Sequence, residues 1–224
     1  MLGLTGQPFL TAITGGSGSG KTTLAEAIAD RLGRDRVSIL PQDAYYHDRR
    51  ELPPTGQAHL NYDVPEAFDR SLFLSHLHAL RSGLSIRIPV YSFESHSPTG
   101  QTRLTRAQEI VLVDGFLLLF DPNIRELFDL RIFVDAPAKL RLRRRLRRDV
   151  AERQRTVLGV LDQFFDTVQP AYEEYVEPTK VFADLVLSNT GPLEDCIESA
   201  VNAIVSRHHQ PAAWDYAHQE PRRA

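Results

Sequence analysis

The sequence has little cysteine, little lysine and no long hydrophobic run. Its one cysteine, Cys196, excludes an intrachain disulfide and a cysteine-rich metal site, and it favours a reducing compartment. No run of about 18 apolar residues occurs, so no transmembrane helix is expected. The segment from Met1 to Gln7 has neither the basic start nor the apolar stretch of an export signal. These absences predict a cytoplasmic protein with no membrane partner.

Basic charge is carried almost entirely by arginine. Lys21, Lys139 and Lys180 are the only lysines. The formal net charge of −3 argues against a general nucleic-acid-binding surface, so no nucleic-acid partner is expected. With 224 residues, 42% of them hydrophobic and 25% charged, the composition is that of one soluble domain.

Short apolar runs alternate with helical patterns, as a parallel sheet with crossover helices requires. The predicted strands are 9–14, 37–40, 86–90, 110–113, 130–134 and 184–187. The predicted helices are 21–32, 65–81, 137–153, 157–176 and 192–207. Few aliphatic residues follow, so a flexible tail is expected over 208–224. The pattern predicts a single α/β domain over residues 1–207.

A glycine-rich segment joins the first predicted strand to the first predicted helix. It satisfies the phosphate-binding P-loop pattern with Gly15, Gly16, Ser17, Gly18, Ser19, Gly20, Lys21 and Thr22. Glycines let backbone N–H groups turn toward phosphate oxygens, and the helix adds the positive end of its dipole. We expect Lys21 to bridge the β- and γ-phosphates, Thr22 to bind Mg²⁺, and Thr23 to complete the site for ATP or GTP. A glycine-rich surface turn is the alternative, which the flanking strand and helix disfavour.

Two aspartates follow other predicted strands, at the edge where ligands collect in open α/β sheets. Asp43 is a candidate base for an attacking hydroxyl, although from position alone a turn or helix-capping role is an equal alternative. Asp114 ends the fourth strand and is predicted to orient Mg²⁺ or its waters, the alternative being a turn with Gly115. The sequence has no Asn-Lys-x-Asp segment, so a GTPase is not expected.

Arginine is concentrated in the predicted helix over 137–153 and just beyond it. Leu142, Leu146 and Val150 recur every four residues, which predicts that they form the packed face of the helix. The other face then carries Arg141, Arg145, Arg148, Glu152 and Arg155. About half of the arginines in this cluster are expected to be merely solvated or paired with acids.

The chain resembles the uridine kinases within the phosphoribulokinase and uridine kinase group of P-loop proteins. The resemblance rests on the P-loop, the arginine-rich helix and the segments 42–46, 61–69, 89–97 and 169–180. It implies a P-loop NTPase kinase fold of class α/β, with a central, mostly parallel five-stranded sheet flanked by helices. It also implies a lid over about 137–160 and a small nucleoside-binding insertion over about 44–100.

The activity implied by the resemblance is transfer of the γ-phosphate of ATP, with Mg²⁺, to the ribose 5′-hydroxyl of uridine or cytidine. Asp43 matches the catalytic base, assisted by Lys21 and Arg148. The nucleoside contacts implied are Asp43, Tyr46, Asp63, Tyr91, Phe93, His96, Arg145, Arg153 and Gln163, and the lid contacts to phosphate are Arg145, Arg148 and Arg155. A carboxylate such as Asp63 suits two ribose hydroxyls, and His96 suits a pyrimidine edge. The resemblance also implies a homotetramer.

Three positions depart from the family pattern and leave the substrate open. Asp114 stands where glutamate is more usual, Ser92 replaces an aspartate, and Pro98 stands where an arginine usually follows His-Ser. One alternative is another small-molecule kinase of the group, acting on a pantothenate-like or phosphorylated sugar substrate. The other is a non-enzymatic, nucleotide-gated protein whose arginine helix binds an acidic partner.

Overall fold

A computed structural model describes residues 7–48, 61–93, 95 and 97–209. Its strands are β1 Phe9–Thr14, β2 Val37–Pro41, β3 Ile86–Ser92, β4 Ser97–Thr105, β5 Ile110–Asp114, β6 Leu130–Asp135 and β7 Leu185–Ser188. Five of them form a parallel sheet in the order β2-β5-β1-β6-β7. This sheet and its strands are confirmed, because their buried apolar runs are what the interior of a parallel sheet requires.

A second, two-stranded sheet stands apart from the first. It consists of the antiparallel hairpin β3 and β4. The predicted strand at 86–90 is part of it, whereas the sequence does not predict β4. Most positions of β4 are exposed and its side chains are mainly polar, so it lacks the apolar run that marks a buried strand.

The helices are α1 Lys21–Leu32, α2 Arg70–Arg81, α3 Pro122–Arg125, α4 Ala138–Glu152, α5 Val157–Gln163, α6 Gln169–Ala171 and α7 Leu193–His208. The predicted helix over 65–81 is divided, because Asp69 caps α2 by accepting a hydrogen bond from the Leu72 backbone N–H. The predicted helix over 157–176 is continuous but includes π-helical segments at Phe164–Val168 and Tyr172–Val176. Because α7 extends through His208, the helix reaches into the predicted tail, of which residues 210–224 lie outside the described residues.

Helices cover both faces of the sheet. Alternate residues of β5 point to opposite sides, so Val111 and Val113 pack in the cluster that contains α2, whereas Ile110 and Leu112 pack in the cluster that contains α1 and α7. Both layers are apolar, which leaves the carboxyl ends of the strands as the place for polar side chains. No helix of the described segments is both long and apolar enough to cross a membrane.

Helix α4 buries its arginine face rather than the predicted leucine-and-valine face, which lies about 100° around the helix. Arg141, Arg145 and Asp149 are 1%, 6% and 0% exposed, whereas Val150 is 41% exposed. The prediction of a leucine-and-valine packed face is therefore wrong. The reason is that the inner face of α4 meets the P-loop rather than the apolar core: a side chain at Gly18 would collide with the Arg141 carbonyl oxygen.

Candidate active site

The P-loop between β1 and α1 forms one wall of a cavity of about 770 Å³. The same cavity is lined by the strand-end aspartates, by aromatic side chains of the β3-β4 hairpin and by arginines of α4. The parallel sheet explains this convergence, because β1, β2 and β5 are neighbours and their carboxyl ends meet at one edge. The cavity is large enough for a small-molecule ligand.

The glycines of the P-loop are required by their surroundings. Gly18 has φ +79° and Gly20 has φ +95°, in the left-handed region that other residues rarely adopt. A Cβ atom at Gly18 would collide with the Arg141 carbonyl oxygen, and one at Gly20 with the Asn189 side-chain amide. The buried Ser19 hydroxyl makes no hydrogen bond to any described residue. Ser17, Gly18 and Gly20 line the cavity, so the loop presents its backbone there as phosphate binding requires.

Thr22 and Asp114 form the candidate magnesium site. Thr22 Oγ1 donates a 2.6 Å hydrogen bond to Asp114 Oδ2, while the buried Oδ1 has no hydrogen-bond partner among the described residues. Burial raises the pKa of Asp114 to about 6, although the Lys21 charge and the Thr22 hydrogen bond oppose the rise. A hydroxyl and a carboxylate are ligands that Mg²⁺ accepts, with phosphate and water completing its shell. The residues present fit the metal.

Asp114→Asn is expected to stabilise the metal-free protein while weakening its metal-dependent chemistry. Asparagine can still accept the Thr22 hydrogen bond but carries no buried charge. Since each pKa unit corresponds to about 1.4 kcal/mol, the free energy of unfolding at pH 7.5 is expected to rise by about 1–3 kcal/mol. The pKa is raised in the folded state, so the cost of the wild-type charge is present above pH 6 and disappears toward pH 4.

Urea unfolding in EDTA between pH 4 and pH 7.5 measures this stability difference. The advantage of Asp114→Asn is expected to shrink steadily as the pH falls through about 6. An exposed acid on α5 supplies the control: Asp162→Asn is expected to stay within about 0.5 kcal/mol of the wild type. A difference that does not change with pH would contradict the assignment of the cost to the Asp114 charge.

Asp43 lies in a short 3₁₀ turn, Gln42–Tyr45, directly after β2. Two contacts hold this turn. Gln42 Oε1 accepts hydrogen bonds of 3.1 Å from the Phe116 and Leu117 backbone N–H groups, just after β5. The Tyr45 hydroxyl lies 2.7 Å from His76 Nδ1 on α2. The turn thus presents the half-buried Asp43 carboxylate to the cavity from a rigid support.

Aromatic and acidic side chains line the part of the cavity next to Asp43. The ring centroids of Tyr46 and Tyr91 are 5.4 Å apart, as are those of Tyr91 and Phe93. Burial raises the pKa of Asp63, and the Asp43 charge adds to the rise while Arg145 opposes it. The structure therefore brings these predicted residues together in one cavity. His96 lies outside the described residues, so its role stays a prediction.

Hydrogen bonds join Gln163 to two arginines of the segment predicted as a lid. Arg145 donates to Ser17 Oγ at 2.7 Å and to Gln163 Oε1 at 2.8 Å. Arg155 donates to the same Gln163 oxygen at 2.6 Å. Gln163, predicted as a nucleoside contact, therefore also aligns two of the predicted phosphate-binding arginines. Arg148 and Arg153 line the same cavity.

Two further arginines, expected to be solvated or merely paired with acids, are instead packed against the P-loop. Arg144 donates to the backbone oxygens of Ser19 and Asn189, at 3.2 and 3.1 Å. The guanidinium of Arg141 lies 3.9 Å from the centre of the Tyr172 ring. That expectation is wrong for both residues, since their helix packs on the loop. No sequence signal distinguishes Arg141 and Arg144 from the neighbouring arginines, and Asn189 belongs to no recognised motif.

The part of the chain that matches a known protein family contains the whole lining of the cavity. The model of the Phosphoribulokinase / Uridine kinase family matches residues 10–194, a span that includes every residue lining the cavity. The chain belongs to this family. The resemblance seen in the sequence motifs is thereby confirmed, as is the P-loop kinase fold.

Individual members of the family align along almost their whole length. A uridine kinase of Clostridium perfringens is 41% identical over 198 residues, which cover 88% of this chain and 95% of the relative. A uridine kinase of Deinococcus deserti is 41% identical over 192 residues, covering 86% and 93%. The crystal structure of a putative fructose transport system kinase from Silicibacter sp. TM1040 superposes with a TM-score of 0.66. It is 21% identical and covers 83% of this chain and 92% of that one, so it supports the fold alone.

Proposed function

We propose that the protein is a nucleoside kinase that transfers the γ-phosphate of ATP to the ribose 5′-hydroxyl of uridine or cytidine. One observation carries the proposal: a single cavity is lined by a P-loop and, facing it, by Asp43, Asp63 and an aromatic group containing Tyr91. Such a cavity can hold a triphosphate and a flat base at the same time. The relatives named uridine kinase support the same substrate class.

The proposed chemistry is a direct transfer in which this chain supplies a base and positive charge. Asp43 accepts the proton of the ribose 5′-hydroxyl as its oxygen bonds to the γ-phosphorus of ATP, while the bond from that phosphorus to the bridging oxygen breaks and ADP leaves. Lys21 and Arg148 stabilise negative charge on the transferring phosphoryl group. Thr22 and Asp114 would hold Mg²⁺, which neutralises phosphate charge when it is bound.

The nucleoside is proposed to bind within the insertion at about residues 44–100. Asp63 accepts hydrogen bonds from the ribose hydroxyls, for which its two oxygens are suited. Tyr46, Tyr91 and Phe93 pack around the base, and His96 reads its edge. Ser92 and Pro98, the departures from the family pattern, leave the choice between uridine and cytidine to experiment.

The segment at about 137–160 is proposed as the lid. It carries Arg145, Arg148 and Arg155 to the phosphates and excludes the water that would otherwise take the phosphoryl group. We further propose that the protein assembles as a homotetramer, as the resemblance implies. Light scattering at several protein concentrations tests that assembly independently of catalysis.

Two other functions are less well supported. A kinase of the same group that acts on a pantothenate-like or phosphorylated sugar substrate would share the P-loop and the lid. The aromatic side chains beside Asp43 favour a flat base instead. A non-enzymatic, nucleotide-gated protein would not need a carboxylate held on a rigid turn beside the P-loop.

An ATP-consumption assay over a panel of acceptors tests the proposal. The panel comprises uridine, cytidine, purine nucleosides, pantothenate and ribulose 5-phosphate. Turnover is expected with uridine or cytidine, giving the nucleoside 5′-monophosphate as the product identified by mass spectrometry. Turnover with pantothenate or ribulose 5-phosphate alone would favour the nearer alternative, and ATP binding with no turnover on any acceptor would favour the non-enzymatic one.

A further inference from the structure

Asp149 is an acid buried in the middle of the arginine cluster. It is 0% exposed, and four guanidinium groups surround its carboxylate. The distance from the nearest guanidinium nitrogen to an Asp149 carboxylate oxygen is 2.8 Å for Arg148, 3.4 Å for Arg145, 3.6 Å for Arg153 and 4.0 Å for Arg155. Within the segments that the structure describes, Asp149 is the only acid that forms an ion pair with any of the four. All four arginines line the proposed active site.

The backbone of Asp149 also fixes the turn that follows α4. Its carbonyl oxygen accepts hydrogen bonds from the backbone N–H groups of Arg153, at 3.2 Å, and Arg155, at 3.1 Å. Between them Gln154 adopts φ +53°, the one positive φ outside glycine among the described residues. The turn is therefore bound to Asp149 both through its main chain and through its side chain.

The electrostatic balance explains why an acid stands at this position. Four guanidinium groups held within a few ångströms of one another repel, and in a partly dry site that repulsion is large. Burial alone would raise the pKa of Asp149, but the hydrogen bond from Arg148 and the charges of Arg145 and Arg153 leave the pKa below its ordinary value. The carboxylate is thus ionised at neutral pH and offsets part of the repulsion.

The cluster also reaches the nucleoside side of the cavity. The guanidinium of Arg153 lies 4.3 Å from the centre of the Phe93 ring in the hairpin. Arg145, at the other end of the cluster, donates to Ser17 in the P-loop. Asp149 therefore connects side chains at the phosphate end of the cavity with one at the base end.

We propose that Asp149 is a positioning residue: it holds Arg145, Arg148 and Arg155 where the transferring phosphoryl group needs them, and Arg153 beside the nucleoside, without touching ATP or the nucleoside itself. The inference rests on the proposed function, which gives those arginines their role. Positive charge accelerates phosphoryl transfer only when it is already positioned to stabilise the negative charge of the transition state. Loss of Asp149 removes this alignment but adds net positive charge, so the effect is expected on turnover rather than on ATP affinity.

Asp149→Asn tests the proposal because asparagine preserves the shape and removes the charge. The turnover number with the nucleoside identified by the panel is expected to fall about 10–100-fold, the range found when a supporting residue behind a functional ligand is lost. The dissociation constant for ATP is expected to change less than about threefold. Affinity for MgADP with aluminium fluoride, a mimic of the transferring phosphoryl group, is expected to fall about tenfold or more. Asp162→Asn is the matched control and is expected to change none of these.

Three outcomes would overturn the proposal. One is a turnover number and analogue affinity close to those of the wild type. Another is a parallel loss of ATP affinity, analogue affinity and melting temperature, which would identify a purely structural role. Should Asp149→Asn not fold, Asp149→Glu is measured in its place: it moves the carboxylate by one methylene group and is expected to show the same selective loss of turnover and analogue affinity. If neither variant folds, Asp149 serves folding and the positioning role is rejected. A wild type that phosphorylates no acceptor would reject the proposed function instead, while the analogue measurement still decides the role of Asp149.

Discussion

Asp43→Asn is expected to reduce the turnover number for nucleoside phosphorylation by about 10²–10⁴-fold, the usual contribution of a general base. Asparagine is nearly the same size as aspartate but cannot accept the proton of the ribose hydroxyl. Because the Gln42 and Tyr45 contacts that hold the turn are unchanged, the position of the side chain should be kept. ATP binding, measured by calorimetry, is expected to stay within about threefold of the wild type.

The opposite end of β2 provides a control for this substitution. Asp35 is an exposed acid in the turn before β2, far along the strand from Asp43, and Asp35→Asn is expected to leave turnover unchanged. Full activity in Asp43→Asn would remove Asp43 as the base. Loss of ATP binding together with activity would instead show that the turn, rather than the carboxylate, was damaged.

Gly18→Ala is expected to weaken ATP binding about 100-fold, equivalent to about 2.7 kcal/mol. Alanine at φ +79° is strained, and its Cβ would collide with the Arg141 carbonyl oxygen. The collision can be relieved only by moving the P-loop or helix α4, and both line the phosphate end of the cavity. Fluorescence titration with a labelled ATP analogue measures the affinity, and circular dichroism confirms that the variant is folded.

Gly83→Ala is a control that separates the effect of backbone strain from the effect of the collision with Arg141. Gly83 has φ +77°, almost the same backbone conformation, but an added Cβ would meet no atom within 4 Å. It lies beyond the end of α2, away from the cavity. This control is expected to lose a little stability, about 1 kcal/mol, and no ATP affinity. Equal ATP affinity in the Gly18 variant would mean that the loop does not approach the phosphates closely.

The parts of the site that follow from the sequence are those marked by local pattern. Buried parallel strands appear as short apolar runs, and the P-loop, Asp43 and Asp114 each come directly after one. For that reason the convergence of these residues at one sheet edge could be predicted from their positions in the chain. The predicted helix α1 coincides with the observed Lys21–Leu32, since the P-loop specifies where it begins.

The features of the site that could not be predicted from the sequence are those determined by contacts between residues far apart in the chain. Gln42 binds backbone groups 74 and 75 residues away, and Asn189 binds the Ser19 carbonyl oxygen 170 residues away. Neither contact leaves a periodic or compositional trace in the sequence. The buried face of α4 was wrongly predicted for a related reason. Hydrophobic periodicity assumes an apolar partner, whereas the partner of α4 is a glycine loop with charged side chains around it.

The π-helical segments after Gln163 have a consequence for the length of this part of the chain. A π turn contains one residue more than an α turn, and each residue rotates a helix by about 100°. Gln163 stands just before the first segment and Tyr172 begins the second, and both face arginines of α4. A π turn takes up its extra residue locally, so deletion of one residue from the first segment would restore regular α-helix there and leave Tyr172 facing Arg141. The first π segment is therefore the place in this stretch where loss of one residue should be tolerated best.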